Sequence, residues 1–191
     1  MAGVTHDGQR WSNADQDRVD LVDYDAAWPA MFQAEAARIR SAIGALRAFD
    51  LEHFGSTAIP GLAAKPIIDI MVIAADQSRW PSLVEPIQRL GYVFWAENPR
   101  RDRMFFVKGM PPFGERRTHH VHVRTPVDAS AALVFRDYLR GHPEDLSRYA
   151  SLKRELAATR ATDRDAYTDG KARFVEEIVR KATATSGRSE P

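Results

Sequence analysis

An α+β fold is what this sequence predicts, and three observations carry the expectation. Apolar runs of strand length fill the first two thirds of the chain. From Asp128 onward the apolar residues recur at helical spacing instead. Strands gathered first and helices last suit separate layers of each. At 191 residues with an apolar fraction of 44%, the chain is long enough to enclose a core as one domain.

Taken in order, residues 1–18 lack an apolar signal core, have Trp11 as their large apolar anchor and read as a disordered arm. Val19 to Tyr24 alternates and suits a short edge strand. Asp25 is placed to cap a helix with Pro29 in its first turn. Trp28, Phe32, Ala36, Ile39, Ile43 and Leu46 then repeat at helical spacing, with the arginines and Glu35 on a solvated face. Ala48 to Phe54 reads as a strand. Gly, Ala and Pro between Ser56 and Lys65 make a turn or loop. Pro66 opens a second strand, where proline is tolerated. Ser78 suits the cap of a helix carrying Trp80, Leu83, Val84, Ile87 and Leu90, stopped at Gly91.

Tyr92 to Ala96 and Arg103 to Lys108 read as strands around a turn that holds Arg100 and Arg101. Gly109 to Arg117 is a loop with two adjacent prolines. Thr118 to Arg124 alternates, which puts Thr118, His120, His122 and Arg124 on one face and His119, Val121 and Val123 on the other. Three helices follow, roughly Ala129 to Arg140, Glu144 to Thr159 and Arg164 to Ala182. Their charges read mostly as solvated i,i+4 pairs, although Arg136 and Asp137 can also turn back to the sheet. The tail, 183–191, reads as disordered.

Charge and composition exclude several classes. The formal net charge is +1, so no global field points at nucleic acid or anionic lipid. With no cysteine, disulfides and thiolate metal sites are impossible. No apolar run approaches the length of a membrane span. A cytoplasmic location is the plain expectation. No P-loop, dinucleotide fingerprint or nucleophile elbow is present.

Chemistry concentrates in LEHFGSTAIPGLAAKPIIDIMVIA, residues 51–74. Gly55 and Ser56 end a strand, and such a turn brings backbone N–H groups and a hydroxyl to a ligand phosphate, or serves as a tight turn with a capping serine. Asp69 is the one charged residue among Ile67, Ile68, Ile70, Met71, Val72 and Ile73. An ionised carboxylate there is costly unless a cation or hydrogen bonds compensate it. It suits a divalent cation, or a structural hydrogen bond to backbone or Lys65. His120 and His122 can meet at one cation or phosphate, and His53 stands just before the turn. Ligands of this kind suit Zn²⁺, Mn²⁺ or Fe²⁺ better than Mg²⁺. Lys65 and Arg103 can each pair with a substrate anion.

Five blocks carry a family resemblance: YDAAWPAMFQAEAARI, EHFGSTAIPGLAAKPIIDIMV, THHVHV, FRDYLRGHPEDLSRYASLKREL and DAYTDGKARFVEEI. In this order they resemble the GrpB family over roughly residues 19–182. That family is grouped with the nucleotidyltransferase superfamily, and it resembles the extra domain of some dephospho-coenzyme A kinases. The resemblance implies a nucleotidyltransferase-like small mixed β-sheet flanked by helices, with a helical C-terminal part. It implies Gly55, Ser56 and Thr57 as the phosphate turn and Asp69 as the first carboxylate of an Asp-apolar-Asp/Glu pair. The second carboxylate would fall at Met71, which is a departure from the pattern. The third belongs to the strand that here carries His120 and His122.

Three functional readings follow. One is a metal-dependent nucleotidyltransferase acting on a small-molecule acceptor, with Asp69 on Mg²⁺ or Mn²⁺ and His122 or His120 as ligand or base. A second is a degenerate module that binds a nucleotide or partner without chemistry. The third is a transition-metal enzyme using His53, Asp69, His120 and His122. Nothing in the residues sets the nucleotide, the acceptor or the oligomeric state.

Overall fold

The structure, a computed structural model, describes residues 18–44, 48–98, 102–110 and 113–186. The expectations for Trp11, Leu46, Arg100, Arg101, the adjacent prolines 111 and 112, and residues 187–191 lie outside the described residues.

Strands β1 (Asp50–Phe54), β2 (Ile68–Ile73), β3 (Tyr92–Phe94), β4 (Met104–Lys108) and β5 (His119–Arg124) form one mixed sheet in the order β1-β2-β5-β4-β3. The central pair, β2 and β5, is parallel, and the other pairings are antiparallel. The α+β expectation is met: helices cover the sheet, and the C-terminal third is helical.

Alternation on β2 and β5 divides the sheet into two unlike faces. Ile68, Ile70, Val72, Val121 and Val123 join Phe106 against helix α1 (Trp28–Ile43), forming a core with Trp28, Phe32, Ile39 and Ile43. The opposite face carries Asp69, Met71, His120 and His122, level with one another as Asp69↔His120 and Met71↔His122. Helix α3 (Pro126–Gly141) covers part of that face, packing Ala129 on Phe54 and Met71. A second core joins α3, α4 (Pro143–Thr159) and α6 (Ala172–Ser186) through Phe135, Leu139, Tyr149, Phe174 and Ile178, with Ile59 and Leu62 from the loop after β1.

Several elements differ from expectation for identifiable reasons. The edge strand at 19–24 is reduced to one bridge, Val22↔Ala64, because its only ladder partner is a proline- and glycine-rich loop. The helix expected after Ser78 is a 3₁₀ segment, Gln77–Leu83, followed by the short α2, Val84–Gln88. Pro81 and Pro86 each lack the N–H that a regular helix uses, and Asp76, not Ser78, is the cap. The last helix is broken into α5 (Arg164–Asp169) and α6. Gly170 lies in the break, where a Cβ would come within 2.6 Å of the Leu156 side chain. Helix α6 also runs through residues 183–186, past the expected boundary. Glu35 is buried, not solvated, and receives a 2.7 Å bond from Lys108 Nζ on the sheet. Arg136, Asp145 and Lys153 are likewise buried, so the C-terminal charges are not all a solvated face.

Candidate functional site

The site forms where β1 ends, β2 begins and the helical part closes over both. Gly55 turns the chain at φ +71°, a conformation that favours glycine. A Cβ there would stand 2.5 Å from Asp69 Oδ2, so the turn lies against the carboxylate only because Gly55 has no side chain. A single 3₁₀ turn, Ser56–Ala58, follows.

Asp69 is level with Phe54 on one side and His120 on the other. His120 Nδ1 lies 3.0 Å from Asp69 Oδ1, and His122 Nε2 lies 3.9 Å from the same oxygen. Burial alone would raise the Asp69 carboxyl. The bond from His120 and the nearness of His122 outweigh that and hold it well below the usual carboxylate range. Burial also lowers both imidazoles, His120 to about 3, so the pair is neutral beside an ionised acid at neutral pH. Phe105 packs on both rings, at 5.0 and 4.7 Å between centroids, and Phe54 stands edge-on to His122.

A cavity of about 170 Å³ opens beside this carboxylate. Gly55, Ser56, Lys65, Asp69 and His120 form its sheet side, while Tyr149 and Lys153 of α4, Tyr167 of α5 and Lys171 form its helical side. Three lysines from separate segments thus surround one small space. Lys65 and Lys171 both approach the Tyr167 ring, with Nζ 5.5 and 4.2 Å from its centroid. Lys153 is only 2% exposed and donates to Ala63 O. Burial, reinforced by the neighbouring Lys171 charge, depresses Lys153 to about 7. Burial lowers Lys171 to about 8 and Lys65 well below the lysine range. Desolvation is the largest cause for each lysine, and the Asp69 carboxylate in the same cavity only partly offsets it.

The other expected residues are placed differently. His53 is level with Ile70 and faces the opposite side of the sheet, stacked on Phe32 at 4.7 Å. Strand alternation puts it beyond reach of the Asp69 cluster, which among the described residues consists of Asp69, His120 and His122. Thr57 borders the cavity but its hydroxyl donates to Ile67 O and so accepts from His53 Nε2. It ties the turn to the loop. His122 lies behind His120 and is not part of the cavity wall. Arg103 stands before β4, whose Met104 is level with Val123, and it pairs with Asp102 at 2.6 Å. That position is past His122 on the side away from the cavity. Met71 is completely buried with Phe54 and Ala129.

Lys153, Lys171, Tyr149 and Tyr167 were not expected at a site. Leu146, Tyr149 and Lys153 share one helical stripe at i, i+3 and i+7, so a lysine on an apolar stripe was a readable signal. Lys171 gives none, because it stands in a helix break. A larger groove of about 570 Å³ between α1 and α2 is lined mainly by Ala37, Arg38, Ser41, Pro86 and Arg89. It is an open furrow that gathers no catalytic type of side chain.

A family model described as GrpB protein matches residues 18–181. A UPF0157 protein of Pseudomonas aeruginosa is 54% identical over 180 residues, covering 94% of this chain and 74% of that protein. A dephospho-CoA kinase of Mycolicibacterium paratuberculosis is 32% identical over 189 residues, and the match takes in 86% of this chain but only 46% of the kinase. The crystal structure of conserved protein GrpB from Enterococcus faecalis superposes with a TM-score of 0.77 at 31% identity, over 88% of this chain and all of that one.

Proposed function

The chain belongs to the GrpB family, and from that premise we propose that it is a nucleotidyltransferase-like protein that holds a nucleoside triphosphate by its phosphate chain and passes the nucleotidyl group to a small-molecule acceptor. The observation that supports this reading is the convergence of Lys65, Lys153 and Lys171 on one cavity beside Gly55, Ser56 and Asp69. Phosphate oxygens add counter-charge to the one carboxylate, Asp69, that faces three lysines, and buried ammonium groups stabilise anionic charge better than exposed ones do.

In the proposed reaction an acceptor hydroxyl releases its proton to solvent as its oxygen bonds to the α-phosphorus, the bond from that phosphorus to the oxygen bridging the α- and β-phosphates breaks, and pyrophosphate leaves with the bridging oxygen. The lysines orient the phosphate chain and neutralise charge on the leaving group. The close Gly55 turn lets the chain approach Asp69 without obstruction. Lys153, with a pKa near 7, is suited to hand a proton to the leaving oxygen. Asp69, His120 and His122 are the residues fit to hold a divalent ion, as the meeting of their donor atoms indicates. Such an ion, when bound, supplies further neutralisation of phosphate charge.

Met71 favours a second reading, a module that binds the nucleotide without turnover. It stands where the superfamily pattern has a carboxylate, and it is sealed in the core. The depressed His120 is also a poor acceptor for the attacking proton.

Calorimetry with nucleoside triphosphates and inorganic triphosphate, in a chelator, tests the binding. Lys153→Met and Lys171→Met are each expected to weaken it by about ten- to a hundredfold, as for other charge-assisted contacts. Absence of binding to every nucleotide and to inorganic triphosphate overturns the proposal. Labelled nucleotide and an acceptor panel then separate the readings. Transfer abolished by Asp69→Asn supports the enzyme, and binding without transfer supports the module.

A further inference from the structure

We infer that Asp69, His120 and His122 form a one-ion site for a transition metal of the zinc, cobalt or manganese kind, in place of the two-magnesium site that the superfamily pattern serves. The inference rests on the same site as the function proposed above, but on different atoms from those that hold the phosphate chain.

The magnesium pattern does not fit these residues. Two Mg²⁺ ions need several carboxylate oxygens between them. Here β2 offers one carboxylate, because Met71 fills the second position and is fully buried against Phe54 and Ala129. Level with Met71 on β5 is His122, and level with Asp69 is His120. The parallel register therefore places two imidazoles beside the single acid. A donor set of two nitrogens and one oxygen prefers borderline metals to magnesium.

The spacing also fits one small ion. Asp69 Oδ1 is 3.0 Å from His120 Nδ1 and 3.9 Å from His122 Nε2, and all three ligand atoms lie within 4.8 Å of one another. Donors placed tetrahedrally at zinc–nitrogen distances are about 3.4 Å apart, which these separations straddle.

Three polar atoms converge, yet only the His120–Asp69 contact is short enough to be a bond. The remaining ring nitrogens, His120 Nε2 and His122 Nδ1, are buried and have no hydrogen-bond partner among the described residues. Phe105 and Phe54 hold the rings by packing instead. The unpartnered nitrogens are the far ones, not the donor atoms, so an ion on the near ones leaves each ring oriented by packing rather than by a second hydrogen bond. Asp69 and His120 also border the lysine-lined cavity, from which a phosphate oxygen or water can complete the coordination.

The test is metal uptake by the full chain after chelator treatment. Co²⁺ is added first, with its visible absorption as the readout, and Zn²⁺, Mn²⁺ and Mg²⁺ then compete for it. The expected result is one Co²⁺ per chain, displaced by Zn²⁺ and resisting at least about a hundredfold higher Mg²⁺. His120→Ala and His122→Ala are expected to lose the band. His122→Gln, which keeps the volume, serves if alanine unfolds the protein. No stoichiometric Co²⁺ or Zn²⁺ uptake, equal preference for Mg²⁺, or uptake unchanged in folded histidine variants overturns the inference. Phosphate binding in chelator is scored separately through Lys153 and Lys171, so failure of one reading leaves the other standing or fallen on its own measurement.

Discussion

Gly55 shows how much of the site depends on one missing side chain. Its φ of +71° and the 2.5 Å approach of a hypothetical Cβ to Asp69 Oδ2 act together. Gly55→Ala must adopt a strained backbone and push the carboxylate away. We expect a loss of about 1–3 kcal/mol in urea unfolding, together with weaker Co²⁺ uptake. Unchanged unfolding and uptake would mean that the turn relaxes freely. Asp69 was legible as a site residue because an acid within an isoleucine-rich strand has few cheap explanations. His120 and His122 were legible because two-residue alternation fixes their face. The same rule, applied across the antiparallel β1–β2 register, sends His53 to the other side. Sequence proximity to the turn could not reveal that, because register is set by pairing.

Among the elements, α3 connects the sheet to the helical part through Arg136. Arg136 is 8% exposed, and its guanidinium donates to Glu52 Oε2 and His53 O at 2.7 Å each and grips Asp137 through Nε and Nη2. Arg140, one turn on, donates to Ala58 O in the 3₁₀ turn at 3.1 and 2.7 Å. Helix α3 thereby fixes the strand that carries the Gly-Ser turn. Arg136→Ala leaves a buried carbonyl and a half-buried carboxylate without their donor. The expected cost is about 2–3 kcal/mol, read as a lower urea midpoint at unchanged m-value. A midpoint that does not move would show that water replaces the guanidinium. The strands β1, β2, β4 and β5 were readable from composition alone, to within two residues. The segment 77–88 was not, because its apolar spacing is helical while Pro81 and Pro86 deny it regular hydrogen bonds.

For the whole molecule, the consequence is that global stability depends on pH through a lysine. Lys153 holds a pKa near 7 in the fold against 10.5 ordinarily, chiefly because it is buried. Below about pH 7 both folded and unfolded chains hold the proton, and the cost of burying the ammonium is present in full. Between that value and the ordinary lysine pKa only the unfolded chain holds it, so stability rises with pH across this window. The slope from one such group is at most about 1.4 kcal/mol per pH unit. Urea unfolding of the ligand-free protein and of Lys153→Met, compared from about pH 7 to about pH 9, is expected to show the natural protein gaining about 1–2 kcal/mol relative to the variant. Parallel profiles would show that Lys153 stays charged when buried.

The order of elements and the faces of β2 and β5 were determined by the sequence itself, because each follows from local periodicity or strand alternation, whereas the parallel β2–β5 register brought Asp69 to the two histidines. The lysine cage was decided only in the tertiary structure. Lys65 is a candidate from its place before β2 and Lys153 from its apolar stripe, but Lys171 looks like an ordinary surface charge, and only the packing of α4, the break at Gly170 and the loop before β2 gathers the three around one cavity. Burial then removes the water that would solvate them, and that loss of solvation lowers all three below the ordinary lysine range.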